Sequence, residues 1–210
     1  MSDNMIPIKA GYLVGITGNS GCGQSTAAEF IAEQCAGVCS LDRTGHRLLT
    51  KRYVLRELVD GFSRSSLLEM SENEIRSELR SIVFDDPQKM SVLNSILHPR
   101  MIRWASNSAA FLKYSRGIWV LEGALIFELE IDRYLDCVIV IEDTADRCAQ
   151  RLRERDNISE ENVLKRWNQQ LPVSDKVSRA DFAVRNSQDL QYMKQQILNI
   201  FEDIQERLLI

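Results

Sequence analysis

A glycine-rich segment close to the amino terminus has the residue types and spacing of a phosphate-binding loop. Gly18, Gly23 and Ser25 match the pattern G-x-x-x-x-G-K-[ST], whose backbone N–H groups cradle phosphates at the start of a helix. Gln24 stands where the pattern has a lysine, so the positive charge that normally reaches the β- and γ-phosphates is missing. The segment predicts a nucleotide site in which the Ser25 hydroxyl holds Mg²⁺.

The whole loop is expected to contact the phosphates of the nucleotide. Its residues are Gly18, Asn19, Ser20, Gly21, Cys22, Gly23, Gln24, Ser25 and Thr26. The alternative is a tight turn between a strand and a helix that binds no ligand. The apolar run before the loop, the helical pattern after it and two further glycines, Gly15 and Gly21, favour the phosphate site.

An acidic residue, Asp42, follows the second predicted strand. Ligands of open α/β sheets lie beyond the carboxyl ends of the strands, so Asp42 is expected to face the phosphate loop. There it would orient Mg²⁺ or take a proton from an attacking hydroxyl. Asp42 could equally cap the next helix, and the two roles are compatible.

Three arginines form a further candidate site. Arg147, Arg151 and Arg155 recur at intervals of four and share one helix face, where they could clamp a triphosphate and stabilise transferred charge. The alternative is a solvated face paired with neighbouring carboxylates. On spacing alone, the solvated face is favoured. The carboxylates are Glu154, Asp156, Glu160 and Glu161.

His98 and Glu122 are weaker candidates. A single histidine such as His98 is more often structural than functional. Glu122 follows an apolar run, which places it at the carboxyl end of a strand near the expected cleft.

The apolar pattern predicts a scaffold for these side chains. Five short apolar runs predict strands: Tyr12–Thr17, Gly37–Leu41, Ile118–Leu121, Cys137–Ile141 and Phe182–Val184. The first two flank a helix that starts at Ser25, which gives a right-handed βαβ unit with parallel strands. A last helix is expected to begin near Asp189 and to pack its apolar stripe on the core.

Residues 44–115 have a different, mostly helical pattern. A helical excursion of this length between strands indicates a subdomain, such as one that closes over a substrate. The proline of His98-Pro99 disfavours helical geometry at His98, so we expect the chain to bend or restart there.

Composition restricts the class of protein. The 210 residues suit one domain, or one domain with an inserted subdomain. A net charge of −4 gives no reason to expect bulk nucleic-acid binding, and no apolar run is long enough to cross a membrane. Met1–Ala10 is expected to be a loose leader without the pattern of a secretion signal, so we expect a cytoplasmic protein.

Five cysteines lie at positions 22, 35, 39, 137 and 148, with no C-x-x-C spacing. This argues against a zinc site and against a disulfide framework. Most of the cysteines are expected to be small buried hydrophobic residues. Cys22 lies inside the phosphate loop, where it is either a partly exposed, reactive thiol or, more simply, one of the small residues that such a loop accepts.

Together these segments resemble the dephospho-CoA kinase family from about Leu13 to Phe201. The phosphate loop, Gly15–Thr26, is the first of several ordered blocks. The others are Leu41-Asp42 with His46-Arg47-Leu48-Leu49; Arg76 with Leu79, Val83-Phe84 and Leu93-Asn94 with Leu97-His98-Pro99; Glu122 to Glu128, similar to a D-x-P-L-L-F-E segment with Ala124 for the proline; Arg151 to Arg155-Asp156 with Gln170; and Lys176 with Ala180-Asp181 and Asn186.

The resemblance implies an α/β P-loop kinase of three layers, α/β/α, around a central parallel sheet. A helical CoA-side subdomain would span about 44–115 and a helical lid about 147–180. The implied reaction is transfer of the γ-phosphoryl group of ATP to the ribose 3′-hydroxyl of dephospho-CoA with Mg²⁺.

The same resemblance assigns roles to individual residues. Asp42 and His46 would lie near the acceptor, Arg76 and His98 would belong to the CoA-side subdomain, and Glu122 would bind substrate. Arg155 would come from the lid, Arg151 would bind ATP, and Asn186 would lie near the adenine. Asp42, Arg155 and Gln24 would be the catalytic positions.

The chain departs from the family pattern at two positions. Gln24 replaces the lysine of the phosphate loop. The second strand of the family often ends in D-x-D, and here Ser40 replaces the first aspartate, so that only Asp42 remains. Loss of one charge that stabilises the transition state costs about 3–4 kcal/mol, or roughly a hundredfold to a thousandfold in rate. Turnover should therefore suffer more than nucleotide binding.

Three functions are compatible with this pattern. The first is a working dephospho-CoA kinase in which a lid arginine or another cation compensates for the lysine. The second is a degenerate homologue that binds nucleotide or CoA as a regulator. The third is a kinase for another small nucleotide or nucleoside. The retained lid, His-Pro and Ala-Asp blocks favour the first, and the sequence leaves the oligomeric state open.

Overall fold

The computed structural model of the protein describes residues 10–84, 86–186 and 189–208. The expected leader, Met1–Ala10, lies outside this part of the chain except for Ala10. Among the described residues, no helix is long and apolar enough to cross a membrane.

All five predicted strands are confirmed. They are β1 (Gly11–Thr17), β2 (Gly37–Ser40), β3 (Gly117–Glu122), β4 (Cys137–Glu142) and β5 (Phe182–Arg185). The described helices are α1 (Gln24–Ile31), α2 (Leu41–Leu49), α3 (Arg52–Phe62), α4 (Glu72–Val83), α5 (Pro87–Leu112), α6 (Ala145–Asp156), α7 (Glu160–Trp167), α8 (Val173–Arg179) and α9 (Leu190–Arg207), with 3₁₀ turns at Ser65–Leu68 and Asp132–Tyr134. Leu41, expected at the end of the second strand, instead begins α2.

The strands form one parallel sheet in the order β2-β3-β1-β4-β5. After β1 the chain adds β2 and β3 on one side, and then crosses to add β4 and β5 on the other. Ligands of such sheets bind beyond the carboxyl ends of the strands at the point where the chain changes sides. The phosphate loop follows β1 and therefore lies at this point.

Helices cover both faces of the sheet because successive strand residues point to opposite sides. On β4, Cys137, Ile139 and Ile141 pack in the main core with residues of α1 and α9, including Ile31 and Phe201. Val138 and Val140 face the other way, toward a smaller cluster that includes Val177 of α8. The predicted three-layer α/β/α fold is confirmed, as is the packing of the last helix, which begins after its cap residue Asp189.

The chain divides into two compact units. One contains the described residues up to Ser40 and those from Ser106 onward, and it holds the sheet. The other, Leu41–Ala105, is a helical unit whose buried apolar side chains include Val54, Leu58 and Ile75. The functional bounds expected for the CoA-side subdomain and the lid stay predictions.

The expected restart at His98-Pro99 is wrong, because α5 runs without a break from Pro87 to Leu112. A proline inside a helix removes one backbone hydrogen bond and crowds the preceding turn. Here Pro99 is exposed while Leu97 and Met101 are buried. Packing of the flanking side chains thus stabilises the helix across the proline, since tertiary burial contributes more to helix stability than local propensity does.

Candidate functional site

The phosphate loop is shaped by two glycines. Gly21 and Gly23 have φ values of 90° and 106°, a left-handed region that residues with a Cβ rarely adopt. The space around them is also closed. A Cβ on Gly21 would lie 2.3 Å from the carbonyl oxygen of Cys148, and one on Gly23 would lie 2.7 Å from Asn186 Nδ2. The loop therefore packs directly against α6 and against the residue that follows β5.

Gln24 is the first residue of α1, and only 6% of its surface is exposed. Its neutral carboxamide can exchange hydrogen bonds but brings no positive charge. The N-terminus of a helix already carries a partial positive charge, which disfavours a cation there when no anion is bound. Gln24 thus avoids this repulsion, and its missing charge matters when the loop holds phosphate.

Ser25 contacts a carboxylate at the loop. Its hydroxyl donates a hydrogen bond to Glu122 Oε2 at 3.1 Å. Glu122 is the last residue of β3, the strand paired with β1, and is 5% exposed. The register between β2 and β3 places Ser40 beside Glu122. A hydroxyl and a carboxylate side by side are hard oxygen ligands of the kind that Mg²⁺ prefers.

Two buried polar atoms near the loop have no hydrogen-bond partner within the described part of the chain. They are Thr17 Oγ1, at the end of β1, and Asn19 Oδ1, in the loop. An unsatisfied buried polar group costs about 1–3 kcal/mol. Their position fits a site that becomes complete when a polar ligand binds.

Asn186 holds the loop from the side of β5. It is 4% exposed, and its Nδ2 donates to the carbonyl oxygen of Cys22 at 2.9 Å. Its own N–H donates to the carbonyl oxygen of Glu142 at 2.7 Å. Asn186 is therefore part of the loop's support, and its expected position near an adenine stays a prediction.

Arg151 reaches the loop from α6. It pairs with Asp143 at 2.7 Å, and the Asp143 side chain is fully buried. Arg151 also donates hydrogen bonds of 3.4 Å to the carbonyl oxygens of Gly21 and Asn186. For Arg151 the solvated-face alternative is wrong, because a buried carboxylate needs a cation next to it.

Arg155, one turn further along α6, has different surroundings. It donates from Nε and Nη2 to the carboxylate of Asp156, at 2.7 and 3.0 Å, and Arg166 of α7 donates to the same group at 2.5 Å. The hydrogen bond from Arg155 first, and that from Arg166 next, lower the pKa of Asp156 to about 2 against the opposing effect of partial burial. The Arg155 side chain is 61% exposed, and its catalytic role stays a prediction.

Residues near the end of α7 bind the loop at Ser20. Gln170 accepts from the Ser20 N–H at 3.0 Å and donates to its hydroxyl at 2.7 Å. Trp167 Nε1 donates to the Ser20 carbonyl oxygen at 3.0 Å. All the hydrogen-bonding groups of Ser20 thus have partners from one short segment.

A second cation, Lys176 of α8, is fully buried in the sheet-bearing unit. Its Nζ lies 2.8 Å from Glu128 Oε1 and donates to the carbonyl oxygen of Ala124 at 2.7 Å. The carboxylate of Glu128 neutralises the charge of the buried Lys176. We therefore infer that Lys176 stabilises the segment after β3, which contains both of its partners. Arg151 is also paired with a buried carboxylate, but it contacts the phosphate loop directly, through the carbonyl oxygen of Gly21.

The residues expected on the acceptor side lie in the helical unit. Asp42 and His46 are exposed and one turn apart on α2, and because α2 begins at Leu41, Asp42 lies within its first turn. Arg76 of α4 donates to Asn73 on the same helix. His98 of α5 is half-buried, and burial lowers its pKa from the usual 6.5, so its imidazole is neutral at pH 7. The roles of these four residues stay predictions.

Cys22 is buried, 2% exposed, so the alternative of a partly exposed thiol is wrong. Its Sγ lies 2.7 Å from Sγ of Cys148 on α6. Cys148 and Cys137 are also buried, whereas Cys35 and Cys39 are half-exposed.

Sequence reasoning missed two residues that support the loop, Asp143 and Trp167, and one buried neighbour that takes no part in the site, Cys148. Asp143 follows β4 directly, so the rule of ligands at strand ends would have found it. Trp167 and Cys148 carry no local signal, because their contacts depend on how α6 and α7 return to the loop.

Comparison with known proteins identifies relatives of this chain and of its fold. A family model described as dephospho-CoA kinase matches residues 12–191. A dephospho-CoA kinase of Aquifex aeolicus is 30% identical over 192 residues, which cover 91% of this chain and 96% of that protein. A crystal structure from Thermus thermophilus is 25% identical with a TM-score of 0.72, covering 93% of this chain and 98% of its own. A dephospho-CoA kinase from Campylobacter jejuni, 21% identical with a TM-score of 0.60 over 92% of this chain and 97% of its own, has the same fold.

Proposed function

The chain belongs to the dephospho-CoA kinase family, and on this premise we propose that it transfers the γ-phosphoryl group of ATP to the ribose 3′-hydroxyl of dephospho-CoA. The products are coenzyme A and ADP. The observation that carries the proposal is the contact between Ser25 and Glu122 at a phosphate loop that follows the central strand. This contact brings together a hydroxyl and a carboxylate, the two kinds of group by which P-loop enzymes hold their metal ion.

Mg²⁺ fits the residues at the loop. The Ser25 hydroxyl and the Glu122 carboxylate are hard oxygen donors, and Glu122 takes the place of the acidic residue that holds Mg²⁺ at the end of a neighbouring strand in P-loop enzymes. We therefore assign Glu122 to the metal side of the site rather than to the acceptor. When held by Ser25 and Glu122, Mg²⁺ would supply positive charge to the phosphates of the nucleotide.

The backbone of the loop positions the phosphates. Its N–H groups lie between β1 and the N-terminus of α1, where the helix dipole attracts an anion. Arg151, already placed beside the carbonyl oxygen of Gly21, adds positive charge on the α6 side. We propose that Arg155 stabilises the negative charge that develops during transfer. To do so, its guanidinium must leave the Asp156 carboxylate and bind the phosphate instead.

In the transfer step, the 3′-oxygen of the acceptor forms a bond to the γ-phosphorus as the bond from that phosphorus to the bridging oxygen breaks. ADP leaves with the bond's electron pair. The hydroxyl proton goes to a carboxylate, and we assign Asp42 as its acceptor. His46, Arg76 and His98 are proposed to bind dephospho-CoA.

Gln24 makes a second function worth testing. A buried neutral side chain in the lysine position favours a homologue that binds nucleotide or CoA but transfers phosphate slowly or not at all. The retained lid, His-Pro and Ala-Asp blocks favour the active enzyme, because a homologue that had lost the reaction would be expected to lose some of them.

The test is a coupled assay for ADP release with ATP, Mg²⁺ and dephospho-CoA, run beside an isothermal titration with ATP. The proposal predicts ADP release that depends on dephospho-CoA and yields coenzyme A. ATP binding without turnover would favour the regulator. Turnover with a nucleoside but not with dephospho-CoA would favour a kinase with a different acceptor.

A further inference from the structure

Two cysteines from distant parts of the chain meet at the phosphate loop. Cys22 and Cys148 are separated by 126 residues, and their sulfur atoms lie 2.7 Å apart. Both are free thiols, 2% and 1% exposed. A disulfide bond is about 2.0 Å long, so the two sulfur atoms need to approach by only about 0.7 Å to be joined. The phosphoryl transfer described above uses neither thiol.

We propose that Cys22 and Cys148 are a redox-modification site, and that hydrogen peroxide joins them in a reversible disulfide that holds the phosphate loop to α6 and slows phosphoryl transfer. The site differs from a single reactive cysteine because the second thiol is already in place. A small neutral oxidant suits this pair, since both sulfur atoms are buried.

The two thiols have different roles in this oxidation. The hydrogen bond from Cys148 lowers the pKa of Cys22, and further hydrogen bonds from backbone N–H groups of Asp143 and Asn19 act in the same direction. The hydrogen bond with Cys22, followed by burial, raises the pKa of Cys148. Cys22 is therefore the thiol that attacks, and Cys148 is the thiol that resolves the product.

The reaction consumes one peroxide and releases two waters. The Cys22 thiolate attacks one oxygen of hydrogen peroxide, the O–O bond breaks, and the other oxygen leaves as water after protonation. Cys22 is then a sulfenic acid. Cys148 attacks Sγ of Cys22, the S–S bond forms, and the sulfenic oxygen leaves as water with the proton of the Cys148 thiol. The two sulfurs together lose two electrons to the peroxide.

A bond at this place acts on the loop and on the arginine beside it. The Cys22 carbonyl oxygen is already held by Asn186, and Gly21 lies against the carbonyl oxygen of Cys148. Arg151 is one turn after Cys148 and donates to the carbonyl oxygen of Gly21. Joining the two sulfur atoms therefore shifts the loop and Arg151 from the arrangement in which they would hold phosphate.

The experiment treats the full-length protein with stoichiometric hydrogen peroxide, then maps its peptides by mass spectrometry without reduction. The expected product is a peptide pair joined through Cys22 and Cys148. ATP affinity and kcat with dephospho-CoA should each fall about tenfold, and both should return after dithiothreitol. The effect on kcat rests on the proposed function, whereas the peptide map and the ATP titration do not, so the two can fail separately.

Two variants serve as controls. Cys148→Ala should keep the basal activity, form no such peptide pair and lose less than about twofold of its ATP affinity on peroxide treatment. Cys35→Ala removes a half-exposed cysteine and should respond as the unaltered chain does. The proposal is overturned if oxidation joins other cysteines, or if the Cys22–Cys148 bond forms completely and ATP affinity stays within twofold.

Discussion

The phosphate loop and the helical unit hold their predicted functional side chains in different ways. In the loop, Ser20, Cys22 and Ser25 each have a partner from a distant part of the chain: Gln170, Asn186 and Glu122. In the helical unit, Asp42 and His46 are exposed on α2.

This difference indicates that the side chains of the loop are held by long-range contacts within the fold, whereas Asp42 and His46 lie at the surface of α2. Fixed donors and dipoles stabilise a transition state without reorganisation, which suits the site of phosphoryl transfer. Exposed side chains, by contrast, usually change the free energy of unfolding by less than about 0.5 kcal/mol when they are replaced. Changes at the loop should therefore alter activity and stability together, and changes on α2 should alter activity with little effect on stability.

The largest effect is expected for Glu122→Gln. Loss of the carboxylate beside Ser25 should lower kcat roughly a hundredfold to a thousandfold, the cost of removing one group that stabilises transition-state charge. Steady-state kinetics at saturating Mg²⁺ measure it. The matched control is Glu142→Gln at the end of β4, where the side chain pairs with the largely exposed Arg185. Equal losses in the two variants would contradict the metal role of Glu122.

The two arginines of α6 should respond differently. Arg151→Gln leaves the Asp143 carboxylate buried without its cation. With a discount for the partly exposed guanidinium, the free energy of unfolding should fall by about 1–2 kcal/mol, or roughly 3–6 °C in Tm. Weaker ATP binding should accompany it.

Arg155→Gln should instead lower kcat with little change in Tm, because Arg155 is exposed and pairs with its neighbour Asp156. Calorimetry and kinetics on both variants check the contrast. A similar decrease in Tm in both variants would contradict the contrast, because it would mean that the two arginines contribute equally to the stability of the fold.

A smaller effect is expected for Gln170→Ala. This change removes two hydrogen bonds to Ser20, which together contribute about 1–3 kcal/mol. Because they hold the loop and do not contact the nucleotide, we expect about half of this loss to fall on binding, so the Kd for ATP should rise about threefold to tenfold. The neighbouring Gln169 is exposed, and Gln169→Ala should leave the Kd unchanged. Titration calorimetry distinguishes them. An unchanged Kd in Gln170→Ala would mean that this contact does not prepare the loop for nucleotide.

The smallest effect concerns His98 in the helical unit. Its pKa is lowered by burial, so below pH 6.5 the unfolded chain binds the proton more readily than the folded chain does. The His98 contribution is therefore neutral above pH 6.5 and destabilises the fold as the pH falls below it. His98→Gln should make the loss of stability between pH 7 and pH 5 shallower, as measured by urea unfolding.

The control for this change is His46→Gln, since His46 is exposed and the chain has two histidines. It should leave the pH dependence of unfolding as it was. A steeper pH dependence in His98→Gln would contradict the burial argument.

Local sequence was sufficient for the elements and for the loop. The strands are continuous apolar runs, and Gly21 and Gly23 take backbone angles that glycine favours. The contacts that complete the site depend on the order of the strands in the sheet and on how α6 and α7 pack against the loop. Ser25 meets Glu122 because β3 lies beside β1, and no local pattern encodes that neighbour.

Burial explains one expectation that was wrong and decides between two alternatives that the sequence had left open. Pro99 does not end α5, because apolar side chains on either side of it are buried. Cys22 is not exposed, because α6 packs against the loop and places Cys148 next to it. For Pro99, tertiary packing outweighed the local preference of the residue, and for Cys22 it excluded the exposed alternative.

The central claim is that this chain transfers phosphate from ATP to dephospho-CoA, and that Gln24 in the phosphate loop limits the rate of this transfer. The direct test is kcat for ATP and dephospho-CoA in the unaltered chain and in Gln24→Lys. The claim predicts measurable turnover that rises roughly a hundredfold to a thousandfold in the variant. The ligand-free variant should lose about 0.3–1 kcal/mol of unfolding free energy, since an ammonium lies at the positive end of α1. Two results would contradict the claim: kcat values of the two proteins that differ by less than twofold, or no turnover in either protein while ATP still binds.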